Sequence, residues 1–186
     1  EAIPDADDNW SQGVFSDVMG GSLAINKKVF KLVESTNRVT GLRLSPDDAY
    51  LILRGIRTLD VRMDKHHVNT IKVAKFLSKH RKVLNIYYPY KKNSQNYKLW
   101  KKYYSGASGL LGIIIKSKNK SSVYSFVNSL ELFGIGYSWG GYSSLAVYND
   151  PVEMGDRRFF KIEKNHHLIR LHIGLEDTDD LISDLK

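Results

Sequence analysis

The apolar residues near the start of the chain follow two different spacings. Ser22–Asn26 holds three consecutive apolar residues after a pair of glycines, which predicts a short strand. Over residues 27–39 the apolar positions lie three and four residues apart, and this spacing predicts a helix. The first fifteen residues show only a weak pattern, so an irregular start is expected.

A strong helix start follows at Ser45 and Pro46. A serine side chain can accept hydrogen bonds from the first helical amides, and proline fits the first helical position. Asp47 and Asp48 then complement the positive end of the helix dipole. Because no proline interrupts the apolar spacing that follows, the sequence predicts one long or gently broken helix over residues 46–79.

From about residue 80 the pattern alternates between strand and helix. The predicted elements, in chain order, are a strand at 83–88, a helix at 97–104, a strand at 110–116, a helix at 121–130, strands at 134–137 and 168–173, and a last helix that opens at 176. This order predicts an α/β fold, more narrowly an α+β small domain. We expect a small, mainly antiparallel sheet with helices on one face, preceded by a long interdomain helix.

Composition narrows the classes of function. The 186 residues carry a net charge of +8, which raises nucleic acid as a partner. The lysines are scattered along the chain, however, so a solvated surface is favoured and no nucleic-acid partner is expected. No apolar run approaches the roughly 18 residues of a membrane span, and no membrane contact is expected. The absence of cysteine excludes disulfides and thiolate metal sites and is compatible with the cytoplasm.

Two segments carry the candidate chemistry. In the strand at 168–173, alternation places Arg170 and His172 on the face opposite three apolar residues. Arg170 then needs an anionic partner: either an internal ion pair, which the pattern alone favours, or the α-carboxylate of a substrate. The loop Tyr137–Gly141 could likewise be a tight turn with Trp139 in the core, or a loop whose backbone amides approach a ligand.

The histidine doublets do not predict a metal site. His66 is followed by His67, and His166 by His167, and adjacent side chains point in different directions on a helix or a strand. Neither pair has a carboxylate or histidine at ligand spacing. We therefore expect structural or surface roles for all four, and no metal.

Four ordered motifs carry a resemblance to a known family. They are Ser16–Gly21, the Arg54–Leu59 segment with Arg62 and the histidines at 66 and 67, the Tyr137–Gly141 loop, and Leu168–Asp177. Together they cover most of the chain, which resembles the cystathionine β-lyase branch of the Cys/Met-metabolism enzymes that depend on pyridoxal phosphate. Tryptophan at position 139 is more typical of this branch than of the γ-lyase and γ-synthase branches.

The resemblance implies a role for each part of the chain. It identifies residues 1–45 as the end of a large cofactor-binding domain and residues 46–186 as a C-terminal small domain with its linking helix. Arg170 would grip the carboxylate of a small amino-acid substrate, beside Ser138 and Trp139, which reverses the preference for an ion pair. The implied reaction converts cystathionine to homocysteine, pyruvate and ammonia in methionine biosynthesis, with pyridoxal phosphate as the cofactor.

Departures from the family pattern limit this expectation. The lysine that carries the cofactor should lie six residues before Ser16, where this chain has Trp10, and no Ser-x-Thr-Lys motif occurs. Ser143 stands where the family usually has a glutamate. We therefore expect a truncated C-terminal part with no catalytic residue of its own, which does not bind the cofactor alone and is inactive. The alternative is a non-catalytic binding or assembly module that self-associates or pairs with a missing large domain.

Overall fold

A computed structural model describes residues 18, 20–21, 23–92, 94, 96–150, 154 and 162–186. These residues form six helices and five strands. The helices are α1 (Lys27–Thr40), α2 (Pro46–Ile56), α3 (Leu59–Leu77), α4 (Tyr97–Tyr103), α5 (Lys120–Asn128) and α6 (Thr178–Asp184). The strands are β1 (Val83–Tyr87), β2 (Leu110–Lys116), β3 (Gly134–Ile135), β4 (Leu145–Asn149) and β5 (His166–His172). The chain separates into two compact units at the junction of Asp60 and Val61.

The second unit contains one five-stranded sheet in the order β1-β2-β5-β4-β3. Three of its strand pairs are antiparallel, and β3 runs parallel to β4. The predicted α/β class and the mainly antiparallel sheet are therefore confirmed. The sequence patterns located four of the strands but missed β4, in which Leu145, Ala146 and Val147 are followed by Tyr148 without the usual alternation.

One face of this sheet forms the hydrophobic core. Ile113 on β2 and Tyr148 on β4 pair with Ile169 on β5, and all three side chains are buried in one cluster. The same cluster takes in buried residues of α3, α5 and α6, namely Val73, Leu77, Val123, Val127 and Leu181, and Leu185 just after α6. Arg170 lies on the opposite face of the sheet, so its side chain is directed away from this core.

Local hydrogen bonds explain where the first unit departs from the predicted elements. Ser45 caps α2 as predicted, since its Oγ accepts from Asp48 N at 3.0 Å. The predicted strand at Ser22–Asn26 is wrong: among its described residues only Leu23 forms a single bridge. Asn26 instead starts α1, because its Oδ1 accepts from Lys28 N at 3.0 Å. An Asn side chain satisfies the free amides at a helix start better than it serves a strand.

The long helix predicted over residues 46–79 is broken between α2 and α3. The amide and the hydroxyl of Thr58 both donate to the Gly55 carbonyl at 3.3 Å, which replaces the helical bond pattern by a tighter turn. Glycine is also a poor helix former, which makes this a favourable place for the break. None of the helices described here is long and apolar enough to cross a membrane.

Candidate substrate-binding site

Arg170 lies in the middle of β5, on the face opposite the core. Its neighbours Ile169 and Leu171 are both 0% exposed, as the predicted alternation requires. Across the sheet Arg170 pairs with Gly112 on β2 and Val147 on β4. The strand therefore presents the half-buried Arg170 on the face of the sheet opposite the core, near the residues that follow β3.

The guanidinium is held by the backbone of the segment Gly136–Gly141, here termed the glycine loop. Arg170 Nη2 donates to the carbonyl of Gly136 at 3.1 Å and to that of Ser138 at 2.9 Å. Gly140 lets the loop turn, since its φ of 86° is a backbone conformation that residues with a β-carbon rarely adopt. Strand and loop are therefore joined through Arg170.

Of the three residues that the sequence proposed as substrate-binding, the structure shows two in contact, Arg170 and Ser138. Ser138 contacts Arg170 through its carbonyl, and Trp139 follows it directly in the chain. Both side chains are half-buried, and Trp139 is not among the buried residues of the core described above. Trp139 thus lies in the glycine loop, next in the chain to the residue whose carbonyl accepts from the guanidinium.

His172 is a second link between β5 and the glycine loop. Its ring is 1% exposed, with Nε2 2.9 Å from the carbonyl of Gly141. Gly140 N donates to Nδ1 at 3.3 Å. A carbonyl can only accept, so Nε2 carries the proton and Nδ1 is the acceptor, which assigns the neutral form of the ring.

The Glu176 carboxylate links the segment after β5 to Ser144, just before β4. Glu176 accepts from the amide of Ser144 at 2.6 Å and from its hydroxyl at 2.9 Å. The Ser144 Oγ in turn accepts from Gly174 N at 2.8 Å. A β-carbon at Gly174 would overlap Glu176, the Tyr142 carbonyl and the Ser144 amide, so the two segments approach too closely for a larger residue.

Helix α3 adds polar contacts to the end of β5. Asn69 is 0% exposed and donates to the carbonyls of Gly174 and Glu176, each at 3.0 Å. It also accepts from Thr178 Oγ1 at 2.8 Å. His66 Nδ1 lies 2.7 Å from the Ile173 carbonyl. The segment that follows Arg170 and His172 is therefore fixed by side chains from a helix more than 90 residues earlier.

Burial sets the charge state of His66. Desolvation lowers the pKa of His66 from its ordinary value near 6.5, and the positive charge of Arg62 lowers it further. The hydrogen bond to the Ile173 carbonyl raises the pKa by more than Arg62 lowers it, and the charge of Glu176 raises it too, but desolvation has the largest effect and the pKa stays lowered. His66 is therefore neutral near pH 7 and donates its Nδ1–H to Ile173.

Sequence reasoning gave no site role to Asn69, Ser144 or Glu176. A signal for Asn69 is present, because Arg62, His66, Asn69 and Val73 recur every three or four residues and are all buried. Polar residues at buried helical spacing indicate a helix face that meets backbone or polar partners. Ser144 and Glu176 have no comparable signal, since they are 32 residues apart and join only through the fold.

The other histidine doublet has structural contacts. His167 Nδ1 lies 2.8 Å from the Tyr148 hydroxyl and its Nε2 lies 3.3 Å from the Ser117 carbonyl. His166 lies 3.6 Å from a Glu163 carboxylate oxygen. Among the residues that the structure describes, no three His, Cys, Asp or Glu side chains are grouped so that they could hold a metal ion.

Comparison with known proteins identifies the family. The sequence model of the family described as "Cys/Met metabolism PLP-dependent enzyme" matches residues 11–186. The chain belongs to this family. It is 38% identical to the cystathionine beta-lyase MetC of Escherichia coli (strain K12) over 91% of this chain and 44% of the relative. It is 37% identical to the L-alanine/L-glutamate racemase of Wolbachia pipientis wMel, again over 91% of this chain but 42% of the relative.

The fold is shared with a solved family member. The cystathionine gamma synthase of Xanthomonas oryzae pv. oryzae, in a complex with cystathionine, superposes with a TM-score of 0.80 at 29% identity. The alignment covers 95% of this chain and 46% of that chain. The chain thus spans less than half the length of the curated relatives it matches.

Pyridoxal phosphate does not fit the residues described here. Enzymes hold it as a Schiff base with a lysine, whose amine becomes nucleophilic in a desolvated pocket. Every lysine of the described residues is exposed, so none of them lies in such a pocket. Trp10, which stands at the position expected for the cofactor lysine, lies outside the described residues.

Proposed function

We propose that this chain carries the carboxylate-binding half of a carbon–sulfur lyase site of the cystathionine β-lyase type, and that it is inactive alone. The observation that carries the proposal is the contact of Arg170 with the Ser138 carbonyl, which directly precedes Trp139 in the chain. A planar guanidinium held by carbonyl groups presents a fixed fork to a carboxylate. The 38% identity to a cystathionine beta-lyase supports cystathionine as the substrate.

The reaction proposed for the complete site converts cystathionine to homocysteine, pyruvate and ammonia with pyridoxal phosphate. In this proposal residues 46–186 provide the small domain and residues 1–45 the end of a cofactor domain. In this proposal the cofactor and its lysine lie in a large domain, outside residues 46–186. The same proposal places the chain in the cytoplasm and in methionine biosynthesis.

A direct assay tests the inactivity. The purified chain is incubated with pyridoxal phosphate and L-cystathionine, and pyruvate is measured against a full-length cystathionine beta-lyase as a positive control. We expect no pyruvate above the protein-free rate, because no described lysine is placed to hold the cofactor. Turnover by the purified chain would overturn the inactivity.

A binding assay tests the carboxylate site separately. L-Cystathionine is titrated into the chain while backbone amide shifts of the glycine loop are followed by NMR. Replacing Arg170 by lysine keeps the charge but removes the planar fork, so we expect binding at least about tenfold weaker. Arg81→Ala is the matched control, since Arg81 is an exposed arginine in the same compact unit. Equal affinities in all three proteins would contradict the assignment of Arg170.

A non-catalytic assembly module is the second candidate, and one observation favours it. In α1 no residue is buried, and Leu32 and Val39 are 69% and 83% exposed. Exposed apolar side chains grouped on one helix are typical of a surface that another chain covers. Light scattering at rising concentration should then show self-association that Leu32→Glu reduces. A monomer at all concentrations would count against this candidate.

A further inference from the structure

The ring of His172 contacts two successive residues of the glycine loop. Its Nε2–H donates to the Gly141 carbonyl at 2.9 Å, and its Nδ1 accepts from Gly140 N at 3.3 Å. Arg170, two positions earlier on the same face of β5, holds the earlier part of the loop through the Gly136 and Ser138 carbonyls. Arg170 thus holds the first half of the glycine loop, and His172 holds the second half.

The surroundings of the ring leave it one orientation. A β-carbon at Gly109 would lie 2.9 Å from its Cε1 and 3.0 Å from its Nδ1, so Gly109 is a wall close against the ring. The His66 ring lies beside it, with 5.2 Å between the centroids. The imidazole is 1% exposed, so water does not compete for its hydrogen bonds. Its donor and its acceptor are therefore both directed at the loop.

The geometry points to His172 as a positioning residue that fixes the glycine loop at Gly140 and Gly141, and through it the Ser138 carbonyl on which the Arg170 guanidinium rests. The sequence proposal covered Arg170, Ser138 and Trp139 and gave His172 no function. The expected effect of His172 on ligand binding rests on the proposed carboxylate function. The expected effect of His172 on the glycine loop does not depend on that function.

Three variants separate the two contacts of the ring. His172→Asn keeps an acceptor at the place of Nδ1, and His172→Gln keeps a donor at the place of Nε2. His172→Leu keeps much of the volume and neither polar contact. Each is made in a Trp10→Phe/Trp100→Phe background, so that Trp139 is the only one of the three tryptophans left. Circular dichroism of the background protein checks that it is folded.

The first readout is hydrogen exchange in the ligand-free chain. We expect the Gly140 amide to exchange roughly fivefold faster in the Leu and Gln variants, since its acceptor is lost, and near the wild-type rate in the Asn variant. The reference is the Val127 amide in α5, outside the loop. The emission and quenching of Trp139 should change most in the Leu variant. If Gly140 and Val127 accelerate by the same factor, the ring only fills space and the positioning role is wrong.

The second readout distinguishes this role from the proposed function. L-Cystathionine is titrated into the same variants, and we expect the weakest binding in the Leu variant, with partial recovery in Asn and Gln. Wild-type chain that binds no cystathionine would contradict the carboxylate function while leaving the exchange result as the test of His172. Unchanged affinity in the Leu variant, alongside wild-type binding, would show that the loop contact does not serve the ligand.

Discussion

Helices α1 and α3 differ in the relation between apolar pattern and burial. In α1 the apolar positions have clear helical spacing, yet no residue of the helix is buried. In α3 six residues are buried, and four of them, Arg62, His66, Asn69 and Thr70, are polar. Apolar spacing therefore predicted helical structure in both regions, without the break before α3, but did not indicate which helix has a covered face.

The difference lies in what each helix has for a partner. Two of the buried polar residues of α3 meet backbone carbonyls just beyond the end of β5: His66 at Ile173, and Asn69 at Gly174 and Glu176. Thr70 instead donates to the His66 carbonyl of its own helix. A buried polar side chain is stable only with such partners. The apolar side chains of α1 need no specific partner, but they stabilise the protein only when another surface removes them from water. Burial is thus decided by the partner and not by the helix alone.

The largest effect is expected at Asn69. Replacing Asn69 by alanine removes three hydrogen bonds and leaves the buried Thr178 hydroxyl and two carbonyls without them. We expect a loss of about 3 kcal/mol in the free energy of unfolding, measured with urea.

Leu32→Ala in α1 is the control for this change. Leu32 is 69% exposed, and its replacement should change the free energy of unfolding by less than about 0.5 kcal/mol. If the Leu32 variant lost as much stability as the Asn69 variant, the contrast between the two helices would not hold.

A smaller loss is expected at Ser144. Its hydroxyl donates to Glu176 and accepts from Gly174 N, so alanine breaks two contacts and leaves the buried Gly174 amide without its acceptor and a half-buried carboxylate oxygen short of a donor. We expect about 2 kcal/mol of destabilisation. Ser143→Ala is the adjacent control, because Ser143 is exposed. Equal melting temperatures for the two variants would show that the Glu176 contact contributes nothing to stability.

The smallest effect is a dependence on pH that comes from His66. Its pKa is lowered by burial, so the unfolded chain takes up a proton before the folded chain does as the pH falls. The contribution of neutral His66 to the stability of the folded state is complete above about pH 6.5, the ordinary pKa of histidine. It is lost as the pH falls from there through the lower pKa of His66 in the folded state. His66→Asn keeps a donor for Ile173 and cannot titrate, so the melting temperature should fall less between pH 7 and pH 5. Parallel curves would contradict this assignment.

The sequence predicted the elements of the fold where local patterns suffice. Ser45 begins α2 and the apolar run at 110–116 is a strand with the predicted bounds, because capping and strand formation depend on neighbouring residues. β4 was missed because its residues are buried on both faces and do not alternate. The break at Thr58 was not located either, since it rests on a local turn in which the amide and the hydroxyl of Thr58 both donate to the Gly55 carbonyl.

The candidate site was predictable only in part. Arg170, Ser138 and Trp139 were named from a strand pattern and a resemblance, and the structure shows a contact between Arg170 and the Ser138 carbonyl. The contacts of His172 depend on the path of a loop more than 30 residues earlier, and no local pattern reports it. The carboxylate of Glu176 joins Ser144 in the same long-range way.

The close approach of neighbouring groups to Gly174 restricts this position to glycine. Any β-carbon there would overlap three groups at once, two of them backbone, and backbone does not move aside as a flexible side chain does. A β-carbon at Gly21 or Gly106 would meet nothing within 4 Å. In a library of random substitutions selected for folded protein, we expect alanine to be recovered at positions 21 and 106 and to be absent at 174.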